Sequence, residues 1–417
     1  MNQKLAIEGG TPVRTRPWPP WPRWGEAEWR ALLDALESGK WGIGGTRVPE
    51  FESRFADLHD AGYAVACCNG TIAIQIALVA AGVKPGDEVI TSPYTFMATA
   101  LATLAVGAVP VFVDVEPGTH NLDPGQIEDA ITERTAAILP VHIGGRPADM
   151  DRIPEIAAKH GLQVVEDAAQ AWLGSWRGRG VGALGAAGTF SFQSSKNLTA
   201  GEGGVLLTDD EALYHRAWSY HNCGRNLGGA WYEHEHAGLN YRLSEFQGGL
   251  LLAALERFPE EQATRRAAMS ALAEGLSGIA GVLVPDADER ITGHGCHIFM
   301  VRIDEPAVVA DRMAIVEALQ AEGIPAHPGY TTPLYQQGFF DWYAERPSGG
   351  GGSTLLKDVL ERPFASYQLP VCERLCRTTI WIKHDVLLAG PEEMPQVVDA
   401  FAKVMAAARE RRLGTGG

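Results

Sequence analysis

The sequence lacks an excess of basic residues. Its 417 residues include 35 Lys or Arg against 51 Asp or Glu, which gives a formal net charge of −16. Proteins that bind phosphate backbones concentrate Lys and Arg on one face, and no basic run interrupts this acidic background. No apolar run approaches the roughly 18 residues that a membrane-spanning helix needs. We therefore expect neither nucleic acid nor a membrane as a partner.

Cysteine is also scarce and badly spaced for metal binding. The six cysteines include the adjacent Cys67 and Cys68, and Cys372 and Cys376 four residues apart, but no CxxC pair. This spacing favours reduced thiols over a disulfide framework or a zinc site. The first residues, MNQKLAIEGG, do not contain the apolar stretch of a secretory signal. We expect a cytoplasmic protein without a structural metal.

Glycine, by contrast, is abundant. The 48 glycines are about one residue in nine, whereas about one in fourteen is usual. Four of them lie in the run at 348–353, which predicts a flexible loop. Several others flank the motifs described below, where a backbone must turn sharply or pass close to a ligand.

The chain divides into three regions by composition. Residues 1–25 interleave five prolines with three tryptophans, which excludes helix and predicts an extended arm. Such an arm either packs on its own domain or embraces a second subunit. Residues 26–258 alternate short β-branched runs with helical patterns, and residues 259–417 predict a smaller α+β domain that begins with a helix over Glu260–Leu276.

The middle region predicts an α/β domain. Its buried strands are predicted at Tyr63–Ala66, Glu88–Thr91, Val109–Val113, Ala136–Val141 and Leu162–Val165. Between them, helical spacing occurs at Thr71–Ala81, Phe96–Val106, Gly125–Ile131 and Met150–His160. This alternation indicates βαβ units and a mostly parallel sheet covered on both faces. Ligands of such sheets bind at the carboxyl ends of the strands.

Two motifs follow predicted strands. In the first, Asn69-Gly70-Thr71, a strand ends and a helix begins, so free backbone amides could hold a phosphate or could simply be capped. In the second, Asp167 lies directly after the strand at Leu162–Val165 and is followed by Gln170. A buried carboxylate there could hold a protonated ring nitrogen, or it could be an ordinary helix cap.

Two further motifs come later in the chain. Lys196 follows Ser191-Phe192-Gln193-Ser194-Ser195 and precedes the Gly-rich run at 201–204. Most lysines are merely solvated, but one enclosed by small residues at a strand end could have a lowered pKa and act as a nucleophilic amine. Residues 238–247, GLNYRLSEFQ, predict an irregular loop that runs into a helix.

One rival motif is excluded by its context. Residues 180–185, GVGALG, match the GxGxxG pattern of dinucleotide-binding proteins. That pattern must follow a strand and open a helix. Here it follows a turn at 176–179 and runs into a predicted strand, so we interpret it as a hairpin-like connection and expect no NAD site.

The four motifs NGT, EDAAQA, SFxxxK with GEGG, and GxNYRxSEFQ occur in this order and near this spacing in one known family. The chain resembles the DegT/DnrJ/EryC1/StrS aminotransferases, which use pyridoxal 5′-phosphate, and the resemblance covers almost its whole length. It implies the fold of type I pyridoxal-phosphate enzymes, in which a large domain with a mostly parallel seven-stranded sheet is joined to a smaller C-terminal α+β domain. Family members that are sugar dehydratases carry His in place of the Schiff-base Lys, so Lys196 favours an aminotransferase.

The resemblance also implies roles for individual residues. Lys196 would form the Schiff base and move the proton, and Asp167 would pair with the pyridine nitrogen. The other residues that the resemblance assigns to cofactor binding are Phe96 on the ring, Gln170 near its phenolic oxygen, Gly70, Thr71 and Ser191 at the phosphate, and Asn240 from the other subunit. The match at Asn240 implies a homodimer with shared active sites.

The substrate is less well defined. The stretches at 370–374 and 381–388, with Trp41–Gly45, resemble the branch of cyclitol aminotransferases and of 3-amino-5-hydroxybenzoate synthases. The resemblance implies transfer of an amino group from L-glutamine or L-glutamate to a ketone on a cyclitol or similar polyhydroxylated ring. A dehydrating and aromatising synthase and a keto-sugar-nucleotide aminotransferase stay open as alternatives. His327 and His384 are candidate substrate contacts or, equally, structural histidines.

Overall fold

The computed structural model describes residues 4–340 and 364–410. The predicted flexible loop at 348–353 lies outside these residues. The strands are β1 Tyr63–Cys67, β2 Glu88–Thr91, β3 Val109–Phe112, β4 Thr135–Leu139, β5 Gln163–Asp167, β6 Ser175–Trp176, β7 Arg179–Gly180, β8 Ala187–Ser191, β9 Gly204–Thr208, β10 Val282–Leu283, β11 Ile291–Gly293, β12 Ile298–Ile303, β13 Ala326–His327 and β14 Thr379–Lys383. The helices are α1 Glu26–Glu37, α2 Arg47–Leu58, α3 Gly70–Ala80, α4 Ala98–Ala105, α5 Arg152–His160, α6 Glu211–His221, α7 Glu245–Ser277, α8 Arg312–Ala321, α9 Pro370–Thr378, α10 His384–Leu387 and α11 Met394–Arg409.

A seven-stranded sheet forms the centre of the larger unit, with strand order β1-β9-β8-β5-β4-β2-β3. The pairs β8–β5, β5–β4, β4–β2 and β2–β3 are parallel, and only β9 runs against its neighbours β8 and β1. Every residue of β2, β8 and β9 is buried. This arrangement confirms the predicted α/β class and the mostly parallel sheet.

Most predicted elements lie within two residues of their observed bounds. The prediction for β2 matches at both ends, and β5 extends two residues further, to Asp167. The predicted helix at Gly125–Ile131 was wrong, because two short 3-10 turns, Pro124–Gln126 and Glu128–Ala130, occupy this stretch. Asp123 caps the first turn by accepting from the Gly125 amide, which favours a tight turn there.

The helix predicted to begin at Glu260 begins fifteen residues earlier. Helix α7 runs without interruption over Glu245–Ser277 and contains Pro259. Ser244 is the N-cap of this helix. Its hydroxyl accepts from the backbone N–H of Gln247, and the side-chain oxygen of Gln247 accepts from the backbone N–H of Ser244. The boundary expected at 258/259 is therefore wrong as a helix start. An interior proline removes one hydrogen bond and crowds the carbonyl four residues earlier, but packing of both halves of α7 against apolar cores keeps this helix continuous.

The proposed division at 258/259 therefore falls inside a helix, and the domain bounds stay a prediction. The first half of α7 packs with the core around Phe51 and Phe190, and its second half packs with the core around Phe299 and Phe401. The second core covers a four-stranded antiparallel sheet of order β10-β12-β14-β13. A third sheet, β11-β6-β7, joins the two regions of the chain.

The N-terminal arm packs on its own chain. Leu5 is fully buried in the smaller core, and the Arg14 amide donates to the carbonyl of Glu322. The indole N–H of Trp18 donates to the carbonyl of Gly323 at 2.9 Å. The sequence allowed an arm that packs on its own domain or one that embraces a second subunit. At Leu5, Arg14 and Trp18, the arm packs on its own chain.

In the part of the chain that the structure describes, every helix is too short or too polar to cross a membrane. Within those residues, no group of three or more His, Cys, Asp or Glu side chains is placed to hold a metal ion.

Candidate active site

The start of helix α3 lies against the end of strand β8. The Asn69 side chain caps the helix by accepting from the Ile72 amide at 2.9 Å, so the amides of Gly70 and Thr71 lie at the positive end of the helix dipole. A Cβ atom on Gly70 would stand 2.7 Å from the Cβ of Ser191. Only glycine allows this approach, which places the Ser191 hydroxyl beside the helix start.

A second glycine completes this narrow place. Gly204 opens β9 and pairs with Cys67 on one side and Ser191 on the other. A Cβ atom on Gly204 would lie 2.5 Å from the backbone carbon of Asn69. The sequence-predicted residues Gly70, Thr71 and Ser191 are therefore brought together by close backbone contact, in a cradle of amides and one hydroxyl suited to a phosphate.

Asp167 is buried at the end of strand β5, the predicted position for a ligand-binding carboxylate. One carboxylate oxygen accepts from the Thr99 hydroxyl at 2.8 Å, and the other accepts from the Ala169 amide at 3.2 Å. Burial raises the pKa of Asp167 above its ordinary value, while these hydrogen bonds and the charge of Lys196 oppose the rise. A cationic N–H placed against this carboxylate would relieve the cost of burying its charge.

Lys196 closes a turn after strand β8, in which its amide donates to the Gln193 carbonyl at 2.9 Å. Burial lowers the pKa of its amine to about 8, and the negative charge of Asp167 limits the fall. The Nζ atom lies 6.0 Å from the ring centre of Trp172, a fully buried side chain. The structure thus joins an amine of lowered pKa and a buried carboxylate in one site.

Three other side chains surround this site. The Gln170 side-chain oxygen accepts from the Gly144 amide at 2.7 Å, which fixes its orientation in a buried place. Tyr330, from the smaller unit, lies close to both Gln170 and Asp167, and burial raises the pKa of its phenol. Phe96 precedes α4 and is 62% exposed. An exposed aromatic ring three residues before Thr99, whose hydroxyl contacts Asp167, is available to stack on a flat ligand.

The remaining predicted residues occupy three different settings. Asn240 is exposed and forms a backbone bridge with Asn222. His327 is half-buried in β13, where it pairs with Trp381, and burial lowers its pKa. His384 is buried, and its Nε2 lies 3.0 Å from the Ser195 carbonyl. This contact with the backbone beside Lys196 favours the structural interpretation of His384.

The residues at 180–185 bind a buried carboxylate of the protein itself. They follow the β6–β7 hairpin, and no helix begins before β8, as the sequence predicted. The amides of Gly182, Leu184 and Gly185 donate to the carboxylate of Glu166 at 2.7–2.8 Å. His142 completes the set, since its Nδ1 accepts from the Ala148 amide and its Nε2 must therefore donate to Glu166, 3.0 Å away. The Gly-rich loop binds a protein carboxylate in place of a dinucleotide.

Sequence reasoning missed two residues of the site. Thr99 lies three residues after Phe96, in the first turn of α4, so its position in a polar turn could have suggested a role. Tyr330 gave no local signal, because it lies in the irregular segment after β13, more than 100 residues from Gln170 along the chain.

Together these groups fit pyridoxal 5′-phosphate. The cradle at Gly70 suits its phosphate, the buried Asp167 suits a protonated pyridine nitrogen, and the amine of Lys196 suits its aldehyde. The fit rests on the approach that only glycine allows at position 70 and on the buried Asp167 carboxylate, which has hydrogen-bond donors and a nearby ammonium group but no ion-pair contact among the described residues.

Comparisons with known proteins identify the family of this chain. The DegT/DnrJ/EryC1/StrS aminotransferase family model matches residues 22–402. The L-glutamine:2-deoxy-scyllo-inosose aminotransferase of Streptomyces fradiae is 38% identical over 422 residues, covering 97% of this chain and 98% of its own. The crystal structure of 3-amino-5-hydroxybenzoic acid synthase is 36% identical with a TM-score of 0.83, and it covers 95% of this chain and 100% of that one. A Bacillus subtilis structure with bound cofactor PMP is 26% identical with a TM-score of 0.75, over 94% of this chain and 86% of that one.

The fold, the order of the four motifs and the extent of these matches agree with one another. The chain belongs to the DegT/DnrJ/EryC1/StrS aminotransferase family.

Proposed function

We propose that this aminotransferase binds pyridoxal 5′-phosphate on Lys196 and moves an amino group from L-glutamine or L-glutamate to a ketone on a cyclitol or similar small polyhydroxylated ring. The observation that carries the proposal is the pairing of a buried amine with a buried carboxylate at the ends of β8 and β5. The acceptor class is supported by the printed activity of the Streptomyces fradiae relative.

The environment of Lys196 prepares it to react. With a pKa of about 8, roughly a tenth of the amine is neutral at pH 7, whereas an ordinary lysine of pKa ~10.4 has well under a thousandth neutral. The same amine could also accept and return a proton as a general base and acid.

The other residues bind and orient. When bound, the cofactor would supply an electron sink for a carbanion on the substrate. Asp167 would keep the ring nitrogen protonated, and the Thr99 hydroxyl donates to Asp167 at 2.8 Å and so orients this carboxylate. Gln170, fixed by the Gly144 amide, would lie near the ring, Phe96 would stack on it, and the cradle formed by Gly70, Thr71 and Ser191 would hold the phosphate.

We further propose a homodimer in which Asn240 reaches the partner's site. Asn240 is exposed on this chain, and large apolar side chains are exposed in two segments, one that includes α1 and one that ends at Asn240, which is typical of surface that binds a protein partner. The exposed residues are Trp29, Leu36, Trp41 and Ile43 in the first segment and Trp231, Tyr232 and Leu239 in the second.

A cytoplasmic location is supported by the six cysteines, all of which are free.

The half-reaction with the amino donor tests the proposal. L-glutamine or L-glutamate should convert the bound cofactor to its amine form, with loss of the visible absorption band, and 2-deoxy-scyllo-inosose should restore the band. A second candidate, a 3-amino-5-hydroxybenzoate synthase-like dehydratase, is favoured by the 36% identical structure of that synthase. If neither amino donor converts the cofactor while an aminated cyclic acid is dehydrated and aromatised, the second candidate replaces the first.

A further inference from the structure

The two peptide carbonyls that precede Lys196 are each bound by a side chain from a distant part of the chain. The Trp21 indole N–H donates to the Ser194 carbonyl at 3.0 Å, and His384 Nε2 lies 3.0 Å from the Ser195 carbonyl. Trp21 belongs to the N-terminal arm, and His384 begins helix α10. The turn itself uses the Gln193 carbonyl for the Lys196 amide, so these two contacts are additional to the turn.

The protonation of His384 follows from its partner. A carbonyl oxygen can only accept, so Nε2 of His384 carries a proton and donates it to Ser195. The other ring nitrogen, Nδ1, is buried and has no hydrogen-bond partner among the described residues. Burial lowers the pKa of His384 to about 3, with the positive charge of Arg265 acting in the same direction. The ring is therefore a neutral donor at physiological pH.

A second histidine holds the other side of Lys196. His297 stacks on His384 with ring centres 5.5 Å apart, and its Nδ1 lies 2.9 Å from the side-chain oxygen of Asn197. The amide group of Asn197 donates to the carbonyls of Gly295 and Cys296, which identifies its other atom as the oxygen. His297 therefore donates to Asn197. The stacked pair of histidines holds the residue before Lys196 and the residue after it.

The arm is packed into the same cluster. The Trp21 ring meets the edge of His384 at 4.6 Å between ring centres and an interplanar angle of 86°. On another side, the guanidinium of Arg265 lies 5.3 Å from the centre of the Trp21 ring. Trp21 thus donates a hydrogen bond to the Ser194 carbonyl and also packs against His384, which donates to the Ser195 carbonyl.

We propose that His384 and Trp21 are positioning residues for Lys196, and that docking of the N-terminal arm completes the reactive geometry of its amine. By fixing the planes of two consecutive peptides, they set the direction in which the lysine side chain leaves the backbone. The proposal rests on the proposed role of Lys196 in binding the cofactor. Misplacement of a reacting group by about 1 Å costs on the order of a hundredfold in rate, so loss of either contact affects rate more than fold.

Four single variants test this. His384→Phe keeps a ring for stacking but removes the donor, whereas His384→Gln keeps a donor. Trp21→Phe removes the indole N–H from the turn. Trp18→Phe is the matched control, because Trp18 donates an equivalent hydrogen bond from the same arm to Gly323, away from Lys196.

The first measurement uses cofactor-free protein mixed with pyridoxal 5′-phosphate. The rate of Schiff-base formation is followed by visible absorbance, and the thermal unfolding midpoint is recorded in parallel. We expect His384→Phe and Trp21→Phe to slow the reaction by about tenfold or more, with His384→Gln recovering much of the rate and Trp18→Phe matching the wild type. In steady-state turnover with glutamine, His384→Phe and Trp21→Phe should lower kcat and leave KM nearly unchanged.

Two results would overturn the positioning role. One is that His384→Phe and Trp21→Phe slow Schiff-base formation no more than Trp18→Phe does. The other is that His384→Gln is as slow as His384→Phe while the unfolding temperatures of both variants fall in parallel.

If wild-type protein forms no Schiff base, the proposed cofactor role fails. The acetylation rate of Lys196 by acetic anhydride, mapped by mass spectrometry, then decides the positioning role with the same four variants and the same expected order.

Discussion

Replacing either of two adjacent carboxylates of strand β5 by its neutral amide should affect different properties: activity at Asp167 and stability at Glu166. Asp167 faces the candidate active site, while Glu166 faces the loop at 180–185. Asp167→Asn preserves shape, because an amide oxygen can still accept from Ala169 and the Thr99 hydroxyl can reverse to accept from the amide. What it removes is the negative charge.

The size of the effect on activity follows from that charge. Two opposite unit charges about 4 Å apart attract by about 4 kcal/mol at an effective dielectric constant of ~20, which corresponds to roughly a thousandfold in rate. We expect Asp167→Asn to lose activity on this scale while it still binds much of the cofactor through the phosphate cradle and Lys196. Stability should not fall. Because burial raises the pKa of Asp167, the ionised carboxylate weakens the cofactor-free fold as pH rises through the folded-state pKa, and asparagine is free of that cost.

Glu166→Gln is the contrasting variant. Burial alone would raise the pKa of Glu166, but the hydrogen bond from His142 and those from the amides of Gly182 and Gly185 hold it below its ordinary value. Its ionised form therefore stabilises the fold at pH values above the ordinary glutamate pKa, and this contribution is lost as pH falls. In Glu166→Gln, the side-chain NH₂ group would face the N–H groups that now donate to Glu166, which should lower the free energy of unfolding by about 1–3 kcal/mol.

The assay compares donor turnover per bound cofactor with the thermal unfolding midpoint of the cofactor-free protein. Asp167→Asn should lose turnover and keep its midpoint, and Glu166→Gln should lower its midpoint and keep most turnover per folded molecule. The reasoning is refuted if Asp167→Asn with bound cofactor keeps more than about a tenth of wild-type turnover, or if the two variants behave alike.

Three further predictions concern the cradle, the lysine and the dimer. Gly70→Ala should raise the dissociation constant of pyridoxal 5′-phosphate by tenfold or more (~1.4 kcal/mol) because its methyl group would collide with Ser191, and a titration of cofactor-free protein that finds wild-type affinity would contradict the cradle. The rate of Lys196 acetylation in cofactor-free protein should rise with a midpoint near pH 8, and Asp167→Asn should move it lower, since the lost negative charge supported the ammonium form; a midpoint above 10 would disprove the lowered pKa. Mixing inactive Lys196→Ala with Asn240→Ala protein should restore activity through hybrid dimers that contain one intact site, whereas mixtures no more active than their components would argue against shared sites.

The parts of this protein that could be predicted are those encoded locally. Strand β2 and the start of α3 follow from buried runs and turn residues. Asp167 and Lys196 are recognisable because Asp167 ends a strand and Lys196 follows one within five residues, each inside a motif. The long helix α7 could not be bounded from Pro259, because packing on both sides of the proline overrides its local preference.

Contacts made over long sequence separations were not predictable in the same way. Tyr330 reaches Gln170 from the smaller unit, and Trp21 and His384 meet the Lys196 turn from opposite ends of the chain. His384 shows the limit most clearly. Its sequence context allowed a substrate contact and a structural role equally, and only the folded chain shows that it is buried against a backbone carbonyl.

The central claim is that Lys196 carries the cofactor, and one measurement tests it most directly. Protein incubated with pyridoxal 5′-phosphate is reduced with borohydride, digested and mapped by mass spectrometry. The account predicts one phosphopyridoxyl group per chain, attached to Lys196, with loss of the visible absorption band. A protein that stays unlabelled, or one labelled at another lysine while Lys196 remains free, would contradict it.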